Sequence, residues 1–329
     1  MIGHLQNENN VIILENVYKS FNGTQVLNNV SLNVTRGEVF GYVGPNGAGK
    51  TTTIRIILGL LKQNSGKVQI LGKNPWIDDN SNNIKQRIGV MLDNPGHFIY
   101  TTAFRNLIYY ASIYRIPYPE KRVEEVLKWV GLWEYRNQRV ETFSKGMKQR
   151  LALARAIIHD PEVLVFDEPT TGLDPNSQRM AREFLVHFAR KKYCTVFLSS
   201  HNLDEVQTIC SRVAIIVKGK IVACDYLEKL KEKFSKHVIE ILLTKKYSTN
   251  DWQSLCNKLR SKPYVLACTN NESDKTLILE LVTPEYVSHL NTFFVEQGVP
   301  IMEIKRRVKT LGDIFEELVS RGDGAGDFV

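Results

Sequence analysis

The hydrophobic positions in the first two-thirds of the chain change repeatedly between a two-residue period and a helical period. Short apolar or alternating runs predict β-strands, and apolar residues spaced three and four apart predict amphipathic helices. The predicted strands are Val11–Val17, Thr24–Val34, Val39–Val43, Arg87–Leu92, Val163–Phe166, Thr195–Ser199 and Val213–Val217. The predicted helices are Thr51–Leu61, Glu120–Val130, Lys145–Ile158, Gln178–Lys191 and Leu203–Cys210. This alternation predicts an α/β domain with a largely parallel sheet over residues 1–224.

A different pattern follows Cys224. The lysine-rich stretch 225–236 is predicted to be a linker. Residues 237–319 then give the order strand, helix, strand, strand, helix, strand, at Val238–Leu243, Asp251–Arg260, Tyr264–Thr269, Leu277–Val282, Pro284–Gln297 and Ile301–Arg307. This order is that of a small α+β ferredoxin-like domain. A last helix, Leu311–Val319, precedes the tail 320–329, which we expect to be flexible.

Length and composition fit two globular domains. The chain has 329 residues, of which 43% are hydrophobic and 24% are charged. The most apolar run, Ile54–Leu61, contains Arg55 and is shorter than the roughly 18–20 residues needed to span a bilayer. The polar start, Met1–Asn10, has no pattern of a secretory leader. We therefore expect a chain that does not cross a membrane and that remains in the cytoplasm.

Cysteine spacing and net charge constrain the possible partners only in part. The five cysteines form no close pairs, so they predict reduced thiols and neither a zinc site nor a disulfide framework. The formal net charge of +8 is compatible with nucleic acid, an anionic membrane surface or nucleotide phosphates. Composition alone does not choose among these classes of partner.

A phosphate-binding motif lies between one predicted strand and one predicted helix. It matches G-x-x-x-x-G-K-[ST] and consists of Gly44, Pro45, Asn46, Gly47, Ala48, Gly49, Lys50 and Thr51. The glycines let backbone N–H groups turn towards phosphates, and the helix N-terminus adds partial positive charge. Lys50 is predicted to contact the β- and γ-phosphates, the Thr51 hydroxyl to bind Mg²⁺, and Thr52 to add a phosphate contact.

The other half of a phosphoryl-transfer site is an apolar strand that ends in an acidic residue. Val163–Phe166 and the following Asp167 supply this pattern. Asp167 is predicted to hold Mg²⁺ through its water shell. Glu168 comes next in the chain and is placed to polarise the attacking water. Together the two motifs predict a P-loop ATPase that uses ATP and Mg²⁺.

The segment Phe143-Ser144-Lys145-Gly146-Met147-Lys148-Gln149-Arg150 resembles the LSGGQ signature of ABC ATPases. The order of motifs over about residues 11–224 is similar to that of ABC transporter ATPases, which implies a P-loop ABC ATPase domain with a helical subdomain. Ser144 can cap a helix whose N-terminus faces an anion, and Gly146 lets a phosphate approach closely. In the family this anion is the γ-phosphate bound on the opposite subunit, so Ser144 and Gly146 are expected to bind ATP across a dimer.

Three further positions are similar to motifs of that family. Gly172–Pro175 looks like the D-loop, in which Asp174 helps to align the two sites of the dimer. His201 follows Ser199 and Ser200 and resembles the switch histidine that contacts the γ-phosphate, although a single histidine is more often an ordinary surface or core residue. Phe21 resembles the aromatic residue that stacks on adenine, and packing in the core is its alternative role.

The chain also departs from the common family pattern. Asp93 stands where the Q-loop usually has glutamine, and its carboxylate could still serve Mg²⁺. Phe143, Lys145 and Met147 replace the commonest residues of the signature. These features, together with a C-terminal extension that contains Leu311–Phe315, resemble the drug- and antibiotic-export branch.

The resemblance implies a subunit that powers an ABC membrane transporter, and specifically an exporter of drugs, antibiotics or peptides. Two copies, or this chain and a homologue, are expected to close around two ATP molecules at the cytoplasmic face of the cell membrane. Transmembrane permease subunits are expected to dock beside 93–100 and the helix Thr101–Arg115, although these residues could instead pack within the helical subdomain.

The alternative to a transporter subunit is a soluble ABC ATPase that acts on ribosomes or nucleic acid. We expect no nucleic acid partner, because the chain has neither a second ATPase cassette nor a long coiled-coil insertion.

Overall fold

A computed structural model of the chain describes residues 9–76, 84–92, 96–192, 194–235, 237–245, 247–271 and 275–321. The chain divides into two units, Met1–Leu227 with Leu318–Val329, and Glu228–Glu317. Residues 1–8 and 322–329, which include most of the predicted flexible tail, lie outside the described residues. Among the described helices, none combines the length and the apolar composition needed to span a bilayer.

The first unit begins with an antiparallel sheet. Its strands are β1 (Asn10–Phe21), β2 (Thr24–Thr35) and β4 (Ser65–Ile70), with β1 in the middle. In β2, Val30, Leu32 and Val34 are buried at alternate positions, as expected for a sheet with one face towards a core. Strand β4 was not predicted, although its Val68 and Ile70 follow the same two-residue period and are buried.

A second sheet of the first unit carries the motifs. Its order is β5 (Ile88–Met91), β6 (Val163–Asp167), β7 (Thr195–Ser200), β3 (Val39–Val43), β8 (Arg212–Val217) and β9 (Lys220–Tyr226). The first five are parallel, and β9 is antiparallel to β8. All residues of β6 and β7 are buried, which explains the uninterrupted apolar runs Val163–Phe166 and Val196–Leu198. The predicted largely parallel sheet is therefore present, with β9 added.

Six helices of this unit lie among the described residues. They are α1 (Lys50–Ile57), α2 (Ala103–Ile113), α3 (Pro119–Trp129), α4 (Lys145–Ile157), α5 (Pro175–Lys192) and α6 (Leu203–Ile209). Side chains fix the starts of three of them by accepting a backbone N–H bond: Thr102 for α2, Ser144 for α4 and Asn202 for α6. Helices α2, α3 and α4 lie between β5 and β6, where the helical subdomain was predicted.

The predicted linker 225–236 contains regular secondary structure, and the boundary between the two units falls within it. Asp225 and Tyr226 continue strand β9, and Leu227–Phe234 forms helix α7. Leu227 and Leu230 are buried and lie one turn apart, so the lysines between and after them occupy the other positions of an amphipathic helix. The lysine content suggested a solvated connection, but the leucine spacing determines the structure.

The second unit contains an antiparallel sheet in the order β11 (Val265–Asn271), β12 (Thr276–Leu281), β10 (Val238–Leu243), β13 (Ile301–Arg306). Helix α8 (Thr249–Arg260) follows β10, and helix α9 (Val287–Glu296) follows β12. The last helix, α10 (Leu311–Arg321), begins in this unit, and its residues from Leu318 onwards are grouped with the first unit. Alternate residues of β10 and β12 pack with Trp252 and Phe294 in one hydrophobic core. The helix and strand order agrees with the order read from the sequence pattern.

Candidate active site

The phosphate-binding loop connects β3 to the first turn of α1. Gly49 precedes the helix with φ of 107°, in the left-handed region that disfavours any side chain. A Cβ at Gly49 would also lie 2.6 Å from Cδ2 of Leu27. A Cβ at Gly44 would overlap the carbonyl oxygen of Ile216. These two glycines let the loop approach the neighbouring backbone closely enough to expose its own N–H groups.

Lys50 is the first residue of α1, and its side chain is 7% exposed. The ammonium donates to the carbonyl oxygens of Gly44 (2.8 Å) and Pro45 (3.3 Å). It also lies 3.3 Å from Oε1 of Glu168. A cation so far removed from water needs anionic or carbonyl partners, and phosphate oxygens can supply them as well as a carboxylate can.

The two acidic residues at the end of β6 have different surroundings. Asp167 is buried, and its Oδ1 accepts a hydrogen bond of 2.6 Å from the Ser199 hydroxyl. Glu168 has φ of 52°, a conformation that is uncommon for a residue with a side chain. Such backbone strain is concentrated at functional sites, where surrounding contacts maintain it.

Glu168 is also linked to His201, which follows β7. Its Oε2 accepts hydrogen bonds from Nδ1 of His201 at 2.7 Å, from the backbone N–H of His201 at 3.3 Å and from the Thr171 hydroxyl at 3.0 Å. A carboxylate only accepts, so Nδ1 carries the proton in this arrangement. Both oxygens of Glu168 are thus engaged, Oε1 with Lys50 and Oε2 with His201 and Thr171.

A cavity of about 430 Å³ brings these groups together. It is lined by Val26, Asn46, Gly47, Gly49, Lys50, Thr51, Thr52, Asp167, Glu168, Thr171 and His201. A larger cleft of about 750 Å³ between α5 and α6 is lined by none of the predicted site residues, so size alone does not identify the site. The motifs converge because β6, β7 and β3 are neighbours and parallel, with their carboxyl ends at one edge.

The same cavity has oxygen donors suited to Mg²⁺. The Thr51 hydroxyl and the Asp167 carboxylate both line it. Mg²⁺ prefers oxygen ligands and is commonly held by one or two carboxylates together with substrate phosphates and water. Thr51 and Asp167 therefore fit the metal that the sequence predicts. Asp93, the third predicted metal ligand, lies outside the described residues.

The predicted signature and D-loop residues lie next to each other but do not line the cavity. Ser144 caps α4 by accepting from the backbone N–H of Met147 at 3.2 Å. A Cβ at Gly146 would lie 2.7 Å from Oγ of Ser177, in the first turn of α5. Asp174 accepts from the backbone N–H of Ser177, and hydrogen bonds from the Ser177 hydroxyl and backbone lower the pKa of Asp174.

Phe21, the predicted adenine-stacking residue, ends β1 and is 43% exposed. Its ring does not line the cavity, and the ammonium of Lys19 lies 4.9 Å from the ring centre. This exposure disagrees with its alternative role in the core. An exposed aromatic ring has the chemistry of a stacking surface for a base.

Several residues in or near the site were not predicted as site residues. Val26 and Thr171 line the cavity, and the Gln149 side chain donates to the carbonyl oxygen of Pro169. Glu205 is buried in α6, and its burial raises the pKa of its carboxyl group. The alternation of apolar residues could have marked Val26, but Gln149 and Glu205 act through partners far away in the chain.

Comparisons with known proteins agree with this geometry. Residues 27–171 match the family described as ABC transporter. An uncharacterized ABC transporter ATP-binding protein of Bacillus subtilis is 35% identical over 305 residues, which cover 93% of this chain and 94% of the relative. The bacitracin transport ATP-binding protein of Bacillus licheniformis is 32% identical over 321 residues, 95% of this chain and 98% of the relative.

A solved structure shares the fold of the first unit. It is the dimeric structure of a post-hydrolysis state of an ATP-binding cassette bound to ADP and Pi, with a TM-score of 0.61 and 27% identity. The match covers 66% of this chain and 98% of that chain. These likenesses do not favour the alternative of an ATPase that acts on ribosomes or nucleic acid. The chain is a P-loop ATPase and belongs to the family of ABC transporter ATP-binding proteins.

Proposed function

We propose that this subunit binds ATP and Mg²⁺ at the cavity beside the phosphate-binding loop and hydrolyses the γ-phosphate with Glu168 as the residue that polarises water. The observation that carries the proposal is the convergence of Lys50, Thr51, Asp167, Glu168 and His201 on one cavity. Gly44, Pro45, Asn46, Gly47, Ala48, Gly49 and Thr52 complete the proposed phosphate site. Mg²⁺, bound by Thr51 and Asp167, would neutralise charge on the β- and γ-phosphates.

Lys50 has a second effect in this proposal. Its ammonium is 3.3 Å from Oε1 of Glu168, so phosphate oxygens and this carboxylate compete for one cation. When phosphates take the place of the carboxylate at Lys50, Oε1 of Glu168 becomes available to a water molecule. Binding of ATP thereby frees Glu168 to accept a proton from the attacking water, which is the role of a general base.

His201 has a complementary role. Its Nδ1 donates to Glu168, and its imidazole can donate to a phosphate oxygen through Nε2 only if the ring carries both protons. The ring is 50% exposed at the cavity edge, where a γ-phosphate can reach it. In this proposal, contact between His201 and the γ-phosphate therefore affects Glu168 through one short hydrogen bond.

The active assembly in this proposal is a head-to-tail dimer of two copies, or of this chain and a homologue. Ser144, Gly146 and Asp174 do not line the cavity of their own chain. The capped N-terminus of α4 has the partial positive charge to bind the γ-phosphate held by the other subunit. Asp174 holds the start of α5 beside Gly146 and would align the two sites, while Phe21 would stack on adenine.

We also propose a docking surface for transmembrane permease subunits, which would hold the protein at the cytoplasmic face of the cell membrane. The surface consists of Phe98, Ile99, Tyr100, Tyr109 and Ile113, each at least 40% exposed. Rings of Phe98 and Tyr109 contact edge to face with centres 4.9 Å apart, which preorganises the patch. Exposed apolar groups gathered in this way are typical of interaction sites.

The transported substrate is proposed by likeness to a relative. The Bacillus licheniformis protein is named for bacitracin transport and aligns with nearly the whole chain. An exporter of peptide antibiotics or related drugs is the function that this likeness supports. The four-strand order of the second unit supports a ferredoxin-like domain, which we propose stabilises the dimer or its coupling to the permease.

The test of the proposed site is Lys50→Ala. Loss of the ammonium should lower phosphate release from ATP at least about a hundredfold, because the charge on the β- and γ-phosphates is no longer neutralised. Lys67→Ala is the matched control, since Lys67 pairs with Glu15 at the surface and does not line the cavity. Circular dichroism checks folding. A folded Lys50→Ala protein with the turnover of the wild type would remove the site assignment.

A further inference from the structure

Glu205 is a buried carboxyl group next to the candidate active site. It lies in the first turn of α6, which begins directly after His201 and Asn202, and it is 1% exposed. Its Oε2 accepts hydrogen bonds from the Thr170 hydroxyl at 2.6 Å and from the Ser200 hydroxyl at 3.2 Å. Its Oε1 is buried and has no hydrogen-bond partner within the described part of the chain.

The two hydroxyl donors belong to the segments that carry the proposed catalytic groups. Thr170 comes two residues after Glu168, and Ser200 immediately precedes His201. Glu168 and His201 are themselves joined by the 2.7 Å hydrogen bond at the cavity. Glu205 does not line the cavity, so it links the same two segments a second time from behind the site.

These two links differ in what substrate does to them. Glu168 and His201 both line the cavity, so their contact has to adjust when phosphates and water enter. The bonds from Thr170 and Ser200 to Glu205 are enclosed by protein and exchange with nothing from solvent. A link that stays constant can preserve the spacing of the two segments while the link at the cavity changes.

Burial of a carboxyl group is costly, and this one is only partly compensated. A buried polar oxygen without a hydrogen-bond partner lowers the stability of the folded state, and more so if it is charged. An apolar side chain at this position would avoid burying a carboxyl group, but it would leave the Thr170 and Ser200 hydroxyls without their acceptor. The retained carboxyl group instead gives one acceptor that two hydroxyls from different segments share.

We propose that Glu205 is a positioning residue for ATP hydrolysis, which holds the Glu168 and His201 segments at a fixed separation through Thr170 and Ser200. The inference rests on the proposed function, because it takes the roles of Glu168 and His201 from there. Glu205 touches neither nucleotide nor water in this scheme. Its removal therefore affects the turnover of bound ATP and leaves binding of ATP almost unchanged.

The first experiment compares Glu205→Ala with Glu205→Gln in the purified full-length chain, using Mg·ATP and steady-state phosphate release. Glu205→Ala is expected to lower kcat at least about tenfold with KM for ATP within about twofold of wild type. Glu205→Gln is expected to stay within about threefold of wild type, because its amide oxygen still accepts from both hydroxyls. Thr208→Val removes a hydroxyl of the same helix that donates to the backbone carbonyl oxygen of Asp204, and it should change neither constant.

The second experiment tests the partner hydroxyl. Thr170→Val removes it with little change in shape and should lower kcat, whereas Thr170→Ser retains it and should restore most of the rate. The Thr170→Val and Glu205→Ala changes should not add, because each breaks the same hydrogen bond. The comparison of Thr170→Val with Thr170→Ser also tests the proposal if Glu205→Ala proves unstable in thermal melting.

The outcomes separate this inference from the proposed function. Unchanged kcat in Glu205→Ala, a loss confined to KM, an equal loss in Glu205→Gln, or full additivity with Thr170→Val would each overturn the positioning role. Glu168→Gln is measured in parallel. If Glu168→Gln turns over normally, the proposed site fails whatever Glu205 does; if Glu168→Gln is inactive while Glu205→Ala is normal, only the positioning role fails.

Discussion

Glu168 is the residue on which several contacts of the site depend. Its two carboxylate oxygens bind a buried ammonium, an imidazole, a hydroxyl and a backbone N–H, and its own backbone is strained. A group fixed by so many partners is held ready for one orientation of water. The same contacts make it sensitive to loss of charge.

Glu168→Gln tests this dependence. The amide preserves size but cannot take up a proton from water, so ATP hydrolysis should fall about 10²–10⁴-fold. ATP binding should persist or tighten, because the carboxylate no longer competes for Lys50. The ATP-bound dimer should then accumulate, and gel filtration with and without Mg·ATP measures it.

Glu15→Gln is the control for that experiment, since Glu15 pairs with Lys67 on the surface and does not line the cavity. It should behave as wild type in both assays. Wild-type hydrolysis by Glu168→Gln, or absence of any larger species with Mg·ATP, would contradict the role given to Glu168.

The position of a residue can be predicted from the sequence where it depends on local spacing. Lys50 and Thr51 could be predicted because the loop and the helix start are contiguous in the chain. Gln149 and Glu205 could not, because their partners Pro169 and Thr170 are 20 and 35 residues away. The fold creates these pairs, and no periodicity within one segment encodes them.

At the scale of elements, the spacing of apolar residues predicts secondary structure better than the residue types do. The stretch 225–236 was predicted as a linker from its lysines, yet Leu227 and Leu230 are buried in α7. Strand β4 was missed because Gly66, Lys67 and Gln69 obscure the buried Val68 and Ile70. Long apolar strands such as β6 were unambiguous because both faces are covered.

One acidic residue joins three segments of the first unit through its hydrogen bonds. Glu162, just before β6, accepts from Arg36, in the turn between β2 and β3, and from Arg87, just before β5. Hydrogen bonds from Arg87 and then from Arg36 outweigh the effect of burial and lower the pKa of Glu162 from 4.5 to about 2. The ionised form is therefore stabilised in the folded chain.

Glu162→Gln should show how this contact depends on pH. A carboxyl group with a lowered pKa in the folded state stabilises it above pH 4.5, and this contribution is lost as pH falls from 4.5 towards 2. The side chain is 36% exposed, so we expect a loss of only about 1 kcal/mol at pH 7. Chemical denaturation at pH 7 and pH 3.5 measures the difference in unfolding free energy between variant and wild type.

The difference should shrink at pH 3.5. Glu124→Gln breaks an exposed i,i+4 pair with Lys128 and is expected to cost less than about 0.5 kcal/mol. A difference between Glu162→Gln and wild type that grows as the pH falls would contradict this account.

At the scale of the whole molecule, the sequence predicts which elements exist but not their order in the sheet. Lys50, Glu168 and His201 meet because β3 lies beside β7, and β7 beside β6. Each strand carries a similar apolar pattern, so nothing in the pattern alone selects its neighbours. The order of motifs in a known family indicates which residues share a site. The site residues could therefore be predicted together although the order of the strands could not.

The second unit contains no part of the cavity but has a distinct surface. One face of its sheet packs with α8 and α9 in a hydrophobic core. Residues of the other face, including Glu240, Ile278 and Lys305, line a cavity of about 480 Å³, and Glu240 pairs with Lys305 at 2.9 Å. A mixed polar and apolar face of this kind suits a partner protein or a second copy.

We therefore expect a chain ending at Leu227 to keep its nucleotide site while losing part of its tendency to dimerise. The cut follows β9, so the sheet that carries the site remains complete. Both chains carry Glu168→Gln. Compared with the full-length chain, the truncated chain should bind a fluorescent ATP analogue with an affinity within about threefold, while its association constant for dimer formation with Mg·ATP should be at least about tenfold lower. A chain ending at Arg321 retains every described element and is the control. Equal dimerisation of both truncated chains would mean that the second unit is a passive extension.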